Sequence, residues 1–354
     1  MAFAEDKAVF IDKGIAGDTV EATIVETKKH YAYARISSIE TPSPLRKESP
    51  CKVFADCGGC SYLCMDYQSE INIKKEILID TLSRIGGIDK SALPRIDLLQ
   101  GDRFRYRTHA GIKANGGEIG FFKRGCNELV PFPDSGCMLL SPALAIAKGE
   151  TSFKAAVDSQ GLYAAGDGSA ALVESEQGIV YKRSLDCFFQ ANGFLRGDML
   201  ARVEEYANIS PQETFLDLGC GVGFFTLYLA RGGAQGLGVD VNKTAIRFAK
   251  ENAVINKIKN VQFKTANSSD VNPYSQEYSV IVADPPRAGL SKKTRRTILA
   301  ASPKRIVYVS CAPPTFARDA KDFISAGYSM AKLTFADMFP CTMHIETIAC
   351  FERE

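Results

Sequence analysis

The chain has 354 residues, of which 45% are hydrophobic and 24% are charged, and this indicates two or three domains with ordinary globular cores. The net charge of +2 excludes a uniformly basic protein, so any nucleic-acid surface has to be a local patch. No apolar stretch approaches the ~18 residues of a membrane helix, and the N-terminal residues lack the pattern of a signal peptide. The odd number of cysteines, 11, argues against a disulfide framework and for metal binding or catalysis in the cytoplasm.

Residues 1–48 contain three runs that alternate apolar and polar residues: AVFID, TVEATIV and YAYARIS. Polar turns and glycines separate the runs, and this pattern predicts a small β domain. Four runs along the chain combine cations with rings or with one another, which suits single-stranded RNA: KKHY at 28–31, RFRYR at 103–107, FFKR at 121–124 and KKTRR at 292–296. A solvated surface explains any one such run more often.

A proline-containing link, TPSPLRKESP, leads into a cysteine cluster, CKVFADCGGC. Cys51 and Cys57 are separated by five residues, and Cys57 and Cys60 by two glycines that leave the turn unstrained. This spacing predicts a metal site, for which structural zinc is one candidate.

Apolar residues at helical spacing, from Ile71 to Leu82, predict a helix over about 68–86, which we expect to pack on the domain that follows. Further β-like segments extend to about Gly178. From about Phe188, strands and helices alternate, beginning with TFLDLG and FFTLYLA and ending with RIVYVSC and HIETIACFE. The alternation predicts an α/β fold with a doubly wound parallel sheet and an antiparallel edge at its end.

A glycine-rich loop, FLDLGCGVGFF, connects the first apolar strand of this region to a helix. Glycine permits positive φ there and lets a ligand lie against the backbone at the helix N-terminus. Phe224 occupies the third glycine slot of the dinucleotide-binding pattern, which disfavours NAD. The loop and the acid that ends the next strand resemble the S-adenosylmethionine (SAM) site of class I methyltransferases, because such an acid can bind both ribose hydroxyls. The residues that carry this resemblance are Asp217, Gly219, Gly221 and Asp240.

Two later strands end at reactive side chains followed by paired prolines. SVIVADPPR ends at Asp284, and the prolines direct its carboxylate off the carboxyl end of the sheet, where ligands bind in such folds. Arg287 can bind a phosphate, stack on a base, or pair with Asp284. RIVYVSCAPP stops at Cys311, because two prolines cannot continue a strand, and we expect a loop to begin there. Plain packing is the ordinary alternative for any one cysteine.

Five motifs occur in the order found in the RNA uracil-5-methyltransferase family: FFQAN, DLGCGVG, DPPRAGL, YVSCAPPTFARD and HIETIACFER. The chain resembles that family from Cys51 onward, most strongly from FFQAN to the C-terminus. The resemblance implies that Cys311 attacks C6 of a uracil and that Glu346 removes the C5 proton. It also implies that Gln190 and Asp284 help to hold the base and SAM. We further expect Arg287 to be a catalytic residue with Asp284, and Asn267 to bind the cofactor together with the glycine-loop residues.

The chemistry of uracil explains these residue types. C5 is too weak a nucleophile to take a methyl group from SAM, but addition of a thiolate at C6 makes C5 an enolate-like carbon. The adduct has to lose its C5 proton before the enzyme is released, so a positioned base is required. Alternation along HIETIACFER predicts that His344 and Glu346 lie on one face of a strand. The target base is expected to flip out of its stack into the pocket.

Two positions depart from the family pattern. Ala312 follows the nucleophile where the family usually has asparagine, and Phe224 stands where many members carry asparagine. Each change removes one polar side chain, but neither removes a reacting group.

The family resemblance also bears on the cysteine cluster and on the N-terminal segment. It favours a [4Fe–4S] cluster that supports the fold and the RNA surface rather than reacting. The four ligands that it implies are Cys51, Cys57, Cys60 and Cys137, whereas Cys64 lies outside the pattern. Residues 7–51 resemble a TRAM-type OB barrel, but the chain begins where the second strand of such a barrel would, so the first strand is either absent or lies upstream of Met1.

These observations predict three domains: an N-terminal TRAM/OB-like β-barrel (1–48), a β-rich iron–sulfur domain (49–187) and a class I SAM-methyltransferase domain (188–354). We expect a cytoplasmic monomer that methylates uracil C5 in RNA. The cysteines favour 23S ribosomal RNA, because the bacterial transfer-RNA branch usually lacks them. Alternatives are transfer-RNA uracil 54, another substrate such as cytosine or a small molecule, and a non-catalytic RNA-binding protein that retains the SAM fold.

Overall fold

The computed structural model describes residues 2–4, 7–145, 152–159, 161, 163–166, 171–272 and 277–353. The N-terminal segment forms a four-stranded sheet in the order β1-β2-β4-β3. Its strands are β1 (Ala2–Ala4), β2 (Lys7–Asp12), β3 (Thr19–Thr27) and β4 (Tyr31–Thr41). Strands β2 and β4 run parallel and the other pairs antiparallel, and β1 and β3 are the outer strands of this sheet in the described residues. The TRAM-type barrel stays a prediction.

The sequence between the cysteine cluster and the glycine loop divides between two structural units. Strand β5 belongs to the large sheet described below, and helix α1 packs against that sheet. Strands β6 to β10 form an antiparallel sheet in the order β10-β9-β6-β7-β8, and β11 and β12 form a hairpin. The bounds are α1 (Tyr67–Arg84), β5 (Ile96–Leu99), β6 (His109–Asn115), β7 (Glu118–Phe122), β8 (Leu129–Pro131), α2 (Pro142–Ala145), β9 (Phe153–Val157), β10 (Tyr163–Gly166), β11 (Ala171–Glu176) and β12 (Ile179–Ser184).

The C-terminal half contains the elements of an α/β sheet with helices on both faces. They are α3 (Arg196–Ala207), β13 (Thr214–Leu218), α4 (Phe224–Ala230), β14 (Gln235–Asp240), α5 (Lys243–Ile255), β15 (Val261–Thr265), β16 (Val280–Ala283), α6 (Lys292–Ala301), β17 (Arg305–Ser310), α7 (Pro313–Ser325), β18 (Ser329–Ala336) and β19 (Glu346–Glu352). The sheet has eight strands in the order β15-β14-β13-β16-β17-β19-β18-β5. The predicted α/β class is therefore confirmed.

The antiparallel part of this sheet differs from the predicted edge strand. Strand β19 runs antiparallel between β17 and β18, and β5 pairs in parallel with β18 to form the edge. The neighbours of β13 are β14 on one side and β16 on the other, so chain direction along the sheet reverses there. Such a switch point leaves a crevice at the carboxyl ends of the strands.

Two hydrophobic cores cover the faces of the sheet. Alternation along β13 places Phe215 in the core with α3, α4 and α5, and it places Leu216 and Leu218 in the core with α1, α6 and α7. Ile71, Leu78 and Leu82 of α1 belong to the second core. None of the helices in the described ranges has both the length and the apolar content needed to cross a bilayer.

Candidate active site

One edge of the large sheet gathers the side chains that the motifs singled out. The carboxyl ends of β13, β14, β16 and β17 lead directly to the glycine loop, Asp240, Asp284 and Cys311. Because β19 is antiparallel, its first residues reach the same edge: Thr347 pairs with Ser310 of β17, and Glu346 pairs with Ala336 of β18. Topology therefore brings the glycine loop and Glu346 to one edge, although Gly219 and Glu346 are 127 positions apart (219 to 346) in the chain.

The glycine loop closes against the two neighbouring strand ends. Gly219 has φ +88°, and a Cβ there would lie 2.6 Å from the carbonyl oxygen of Asp284. Gly221 has φ +54°, and nothing lies within 4 Å of the Cβ it lacks, so the space beside its backbone is open. Its N–H donates to Oδ2 of Asp240 (3.0 Å), whose Oδ1 accepts from the N–H of Asn242 (2.8 Å). The loop is thus a backbone cradle with one fixed carboxylate at its rim.

Asp217 and Asn267 lie beside this cradle in different roles. Asp217 is fully buried, and its Oδ2 accepts a hydrogen bond from the hydroxyl of Thr226 on α4 (2.6 Å). Its Oδ1 has no hydrogen-bond partner in the described part of the chain, and burial raises the pKa of this carboxyl to about 7. Asn267 follows β15 and caps a short 3₁₀ turn, in which its Oδ1 accepts from the N–H of Ser269 (3.0 Å).

Phe224, one of the two departures from the family pattern, belongs to an aromatic cluster behind the FFQAN motif. Its ring lies 5.2 Å from that of Phe189 and 5.5 Å from that of Tyr181, and the Tyr181 hydroxyl donates to its backbone carbonyl (2.9 Å). Gln190 follows Phe189, and its carbonyl accepts from Nε of the buried Arg196 (2.7 Å). At position 224 the asparagine of many family members is thus replaced by a phenylalanine ring, which packs against Phe189, the residue before Gln190. Arg196 lies outside every motif, so no local signal pointed to it.

Cys311 shares its electrostatic environment with two acids and one cation. Burial, then Glu346 and Asp284, raise the pKa of the thiol to about 11, and Arg287 opposes them. Burial, reinforced by Asp284, raises the pKa of Glu346 well above its ordinary value. Gln190 extends Nε2 toward Oδ2 of Asp284, at 3.5 Å. In the ligand-free site, the raised pKa values of Cys311 and Glu346 therefore favour the protonated, neutral forms of both side chains.

Strand β17 ends at Ser310, and the loop that we predicted to begin at Cys311 is only two residues long, because the prolines that follow begin a helix. Pro313 and Pro314 are the first residues of α7, where the missing N–H is not needed and φ is already helical. The thiol therefore lies just before a helix N-terminus, whose partial positive charge acts against the net rise in the pKa of Cys311. Ala312 is the N-cap and supplies no side-chain hydrogen bond; instead its N–H donates to Oγ of Ser310 (3.3 Å) and its carbonyl accepts from the hydroxyl of Thr315 (3.1 Å).

Arg287 contacts His344 rather than Asp284. Nη2 of Arg287 hydrogen-bonds to Nδ1 of His344, and no ion pair between Arg287 and Asp284 occurs among the described side chains. Burial, with Arg287 next, lowers the pKa of His344 to about 4, so the imidazole is neutral and accepts this hydrogen bond. Strand β19 begins only at Glu346, so the alternation that paired His344 with Glu346 does not apply. His344 instead holds the guanidinium that opposes the raised pKa of Cys311.

In the run at 103–107 only Tyr106 is buried in the core, and the half-buried Arg103 and Arg105 are engaged by other parts of the chain. Arg103 pairs with Glu70 (2.9 Å), Nη1 of Arg105 donates to the Cys137 carbonyl (3.0 Å), and Tyr106 is fully buried. The sequence of a charged run is the same whether its side chains bind RNA phosphates or pair with distant residues of the same chain. Only the tertiary structure distinguished the two.

Three of the cysteines predicted as metal ligands pack against one small hydrophobic cluster, and the fourth lies next to it. Cys51, Cys60 and Cys137 contact that cluster, and burial raises the pKa of Cys57, with Cys137 and Cys51 adding to the effect. The N–H of Gly58 donates to the Phe122 carbonyl (3.0 Å), and a Cβ there would lie 2.5 Å from that oxygen, so glycine permits this approach. As the side chains stand, no group of three or more His, Cys, Asp or Glu residues in the described ranges is arranged to hold a metal ion.

Comparison with known proteins identifies the family. A sequence profile described as tRNA (uracil-5-)-methyltransferase matches residues 169–354, which is more than half of the chain. The chain belongs to this family. An RNA methyltransferase of Aquifex aeolicus is 31% identical, with 98% of this chain and 93% of that protein aligned. A second, from Halalkalibacterium halodurans, is 28% identical, with 99% and 93% aligned. This family member is therefore an RNA methyltransferase, and SAM is its methyl donor.

A solved structure agrees with this fold over almost the whole chain. The tRNA (uracil-54, C5)-methyltransferase of Pyrococcus abyssi, in complex with S-adenosyl-L-homocysteine, superposes with a TM-score of 0.75. The alignment covers 98% of this chain and 96% of that one, at 22% sequence identity. The α/β methyltransferase fold is thus shared between the two proteins.

The protonation of Asp284 gives a prediction for stability. Burial, with Asp217 and Asp240 nearby, raises the pKa of Asp284 to about 8. The unfolded value is about 3.9, so the folded state holds the proton more tightly, and the contribution of Asp284 to the free energy of unfolding falls as the pH rises from about 4 to about 8. We expect Asp284→Asn to raise the stability of the ligand-free protein, and to raise it more at pH 8 than at pH 5. Urea denaturation at both pH values measures the difference.

Asp270 is the control with the opposite sign. Its hydrogen bond with Lys293 lowers its pKa, so its contribution is lost as the pH falls. Asp270→Asn should therefore destabilise slightly at neutral pH and have no effect in acid. An Asp284→Asn effect that is independent of pH would contradict the assigned protonation.

Proposed function

We propose that this enzyme methylates C5 of a uracil in cytoplasmic RNA through a covalent bond between Cys311 and C6 of the base. The observation that carries this proposal is the convergence of a strand-end thiol, Glu346 and Asp284 beside the glycine-loop cradle. A plain SAM-binding site needs the cradle alone. A thiol at the N-terminus of α7 with a buried acid in its electrostatic field is what addition to C6 and later removal of the C5 proton require.

The residues act in the following order. The thiolate of Cys311 adds to C6, and the electrons of the C5–C6 double bond move onto C5. The glycine loop would hold SAM, which would supply an electrophilic methyl group to C5 and leave as S-adenosyl-L-homocysteine. Glu346 then takes the C5 proton, the C5–C6 double bond re-forms, and the thiolate leaves C6. Gln190 and Asp284 would hold the base and the methyl donor, and Arg287, held by His344, would offset negative charge near the thiol.

Glu346 has to lose its own proton before it can act as a base. Burial favours the neutral acid in the ligand-free protein, and a cationic sulfonium nearby would favour the carboxylate instead. Binding of the methyl donor would then activate the base as well as bring the methyl group.

The decisive assay compares methyl transfer to RNA that contains either uridine or cytidine as its only pyrimidine. We expect incorporation into uridine RNA alone, recovered as 5-methyluridine. Incorporation into cytidine RNA, or at another atom of uracil, would refute the proposed reaction. RNA binding without any transfer would favour the non-catalytic alternative.

Ribosomal RNA is our proposed substrate, and transfer RNA is the second candidate. The cysteine set supports 23S ribosomal RNA through the family resemblance, whereas the overall similarity to the P. abyssi tRNA (uracil-54, C5)-methyltransferase supports transfer RNA. Mapping 5-methyluridine in both RNA classes from a deletion strain separates them. Loss from transfer RNA alone would overturn the first choice.

An exposed aromatic group on the N-terminal sheet supports RNA binding there. Phe10 and Tyr33 pair across β2 and β4 and are 44% and 42% exposed, although large rings are usually buried. With Tyr31 they form three mutual ring contacts of 5.4 to 5.8 Å. Lys28 and Lys29 follow at the end of β3. Exposed rings can stack on unpaired RNA bases, and neighbouring cations can bind the RNA phosphates.

Tyr33→Trp tests this surface directly, because the chain contains no tryptophan and the new side chain is the sole indole fluorophore. We expect single-stranded RNA to quench its fluorescence by stacking, and duplex RNA to do so far less. Val25→Trp, at another exposed position of the same segment, is the matched control and should change little. Equal quenching at both positions would indicate non-specific contact and contradict a stacking surface.

We also propose that Cys51, Cys57, Cys60 and Cys137 hold a [4Fe–4S] cluster. Support comes from their shared location and from amide groups directed at the sulfurs: the Gly59 N–H donates to Sγ of Cys57 (3.4 Å). Burial raises the pKa of Cys137, and the amides of Leu139 and Leu140 oppose it. Such N–H contacts to sulfur are usual around iron–sulfur centres. The side chains would have to turn toward a common centre.

Iron and sulfide analysis of anaerobically purified protein tests the cluster. Cys137→Ser should lose most of the iron and lower stability, whereas Cys64→Ser should keep it, although Cys64 lies in the same hydrophobic cluster. Zinc in place of iron, or equal loss in both variants, would contradict the assignment.

A further inference from the structure

The connection between β18 and β19, residues 337–345, is held by other parts of the protein over residues 338–341. It leads directly into Glu346, the first residue of β19. Four consecutive carbonyls in it accept hydrogen bonds from donors outside β18 and β19. The donors are Asn192 Nδ2 to Met338 (3.2 Å), Lys74 Nζ to Phe339 (3.2 Å), Tyr106 Oη to Pro340 (3.1 Å), and the N–H groups of Ser61 and Tyr62 to Cys341 (2.8 and 3.0 Å).

A buried charge cluster fixes the same connection from the side of α1. Nζ of Lys74 lies 2.7 Å from Oε1 of Glu70 and 2.8 Å from Oδ1 of Asp337, and all three side chains are fully buried. Glu70 Oε1 also accepts the N–H of Cys341 (2.6 Å), a residue held at φ +66°. Buried charges seldom add net stability, but they can select one geometry over its neighbours.

The arrangement is unusual for a loop between two paired strands. Such connections ordinarily lie on the surface, where water satisfies their polar groups. Here the donors come from Ser61 and Tyr62 after the cysteines, from α1, and from Tyr106 and Asn192, which lie outside the named strands. Glu346 is the first residue of β19, so the position of its side chain depends on the connection that precedes it.

We propose that Tyr106, Glu70 and Lys74 are positioning residues that set the location of the Glu346 carboxylate over the substrate. The inference rests on the proposed function, in which Glu346 removes the C5 proton. Proton transfer needs heavy atoms within about 2.6–3.2 Å of each other, and a misplacement of about 1 Å can cost roughly a hundredfold in rate. Loosening the connection should therefore slow proton removal and leave the earlier addition of Cys311 to C6 intact.

Tyr106→Phe and Tyr328→Phe are the matched pair of variants. Each removes a buried tyrosine hydroxyl that donates to a proline carbonyl: Pro340 for Tyr106 (3.1 Å) and Pro303, away from the site, for Tyr328 (2.8 Å). Each should lose a similar amount of stability, because one buried carbonyl is left unpaired. If the Tyr106 hydroxyl contributes only to stability, the two variants should therefore have the same activity.

Two measurements separate positioning from structure. On uridine RNA, we expect Tyr106→Phe to turn over about 10- to 100-fold more slowly and to accumulate covalent protein–RNA adduct. On 5-fluorouridine RNA, whose C5 fluorine cannot leave as a proton, the adduct forms without the base, and the variant should form it within about twofold of the wild-type rate. Tyr328→Phe should match the wild type in both assays.

The outcomes are distinguishable. If Tyr106→Phe turns over normally, or loses turnover and trapping together, the positioning role is overturned. If the wild-type protein itself forms no adduct on 5-fluorouridine RNA, the proposed covalent mechanism fails instead.

Discussion

Replacing Cys311 with alanine is expected to abolish methyl transfer to RNA, to below about one thousandth of the wild-type rate, with RNA affinity unchanged. Without the sulfur, C5 of uracil has no route to become nucleophilic. The side chain is small and partly exposed at the carboxyl edge of the sheet, so its loss should disturb neither the fold nor the RNA surface. Methyl incorporation from labelled SAM and RNA binding by filter retention measure the two properties separately.

Cys126→Ser is the control for this experiment, because Cys126 is an exposed thiol outside the site. It should retain full activity. The same comparison on 5-fluorouridine RNA should give a gel-stable, SAM-dependent adduct with the wild type and Cys126→Ser, and none with Cys311→Ala. Measurable methyl transfer by Cys311→Ala would eliminate covalent catalysis by this residue.

Glu346→Gln is expected to stop the reaction one step later. Addition to C6 and methyl transfer do not need a base at Glu346, but release of the enzyme does, so the methylated adduct should accumulate on ordinary uridine RNA. Loss of a general base slows its step by about 10²–10⁴-fold. Denaturing gels with labelled SAM would show a protein–RNA band that persists after the wild type has turned over.

Glutamine is close to the same size and is neutral, as the buried Glu346 is in the ligand-free protein, so folding should be unaffected. Thr334→Val is a useful control for a buried polar change in the same sheet, because Thr334 lies in β18 and bonds to Tyr206, away from the site. Fast turnover by Glu346→Gln would refute the assignment of the base. Failure to form any adduct would mean that Glu346 acts before methyl transfer.

Much of the candidate site was accessible from sequence because strand ends carry local signatures. An apolar run followed by glycines, or by an acid or thiol and two prolines, marks the carboxyl end of a strand wherever it lies. The α/β fold and the SAM-dependent RNA methyltransferase family, both predicted from these motifs, are confirmed. The roles of Cys311, Glu346 and the cluster cysteines remain predictions.

Local patterns were less informative where distant contacts decide the outcome. A loop was predicted to begin at Cys311, and β17 does end at Ser310, but the loop has only two residues. Pro313 and Pro314 begin α7, since proline disrupts a strand and suits the first turn of a helix equally well. Tyr106 was predicted on an RNA-binding surface and is buried, with its hydroxyl on Pro340. Arg196 and Lys74 carry no motif at all, because their partners lie far away in the chain.

The sequence by itself determined which reactive groups end which strands, because backbone geometry and hydrophobic periodicity are properties of a few neighbouring residues. Only the tertiary structure decided what holds those groups in place. Strand β19 reverses direction between β17 and β18 and brings Glu346 to the edge that carries Cys311. The connection before Glu346 is fixed by side chains from α1 and Tyr106. Long-range hydrogen bonds and buried ion pairs cannot be predicted from a local sequence pattern, because each partner by itself is an ordinary polar residue in the sequence.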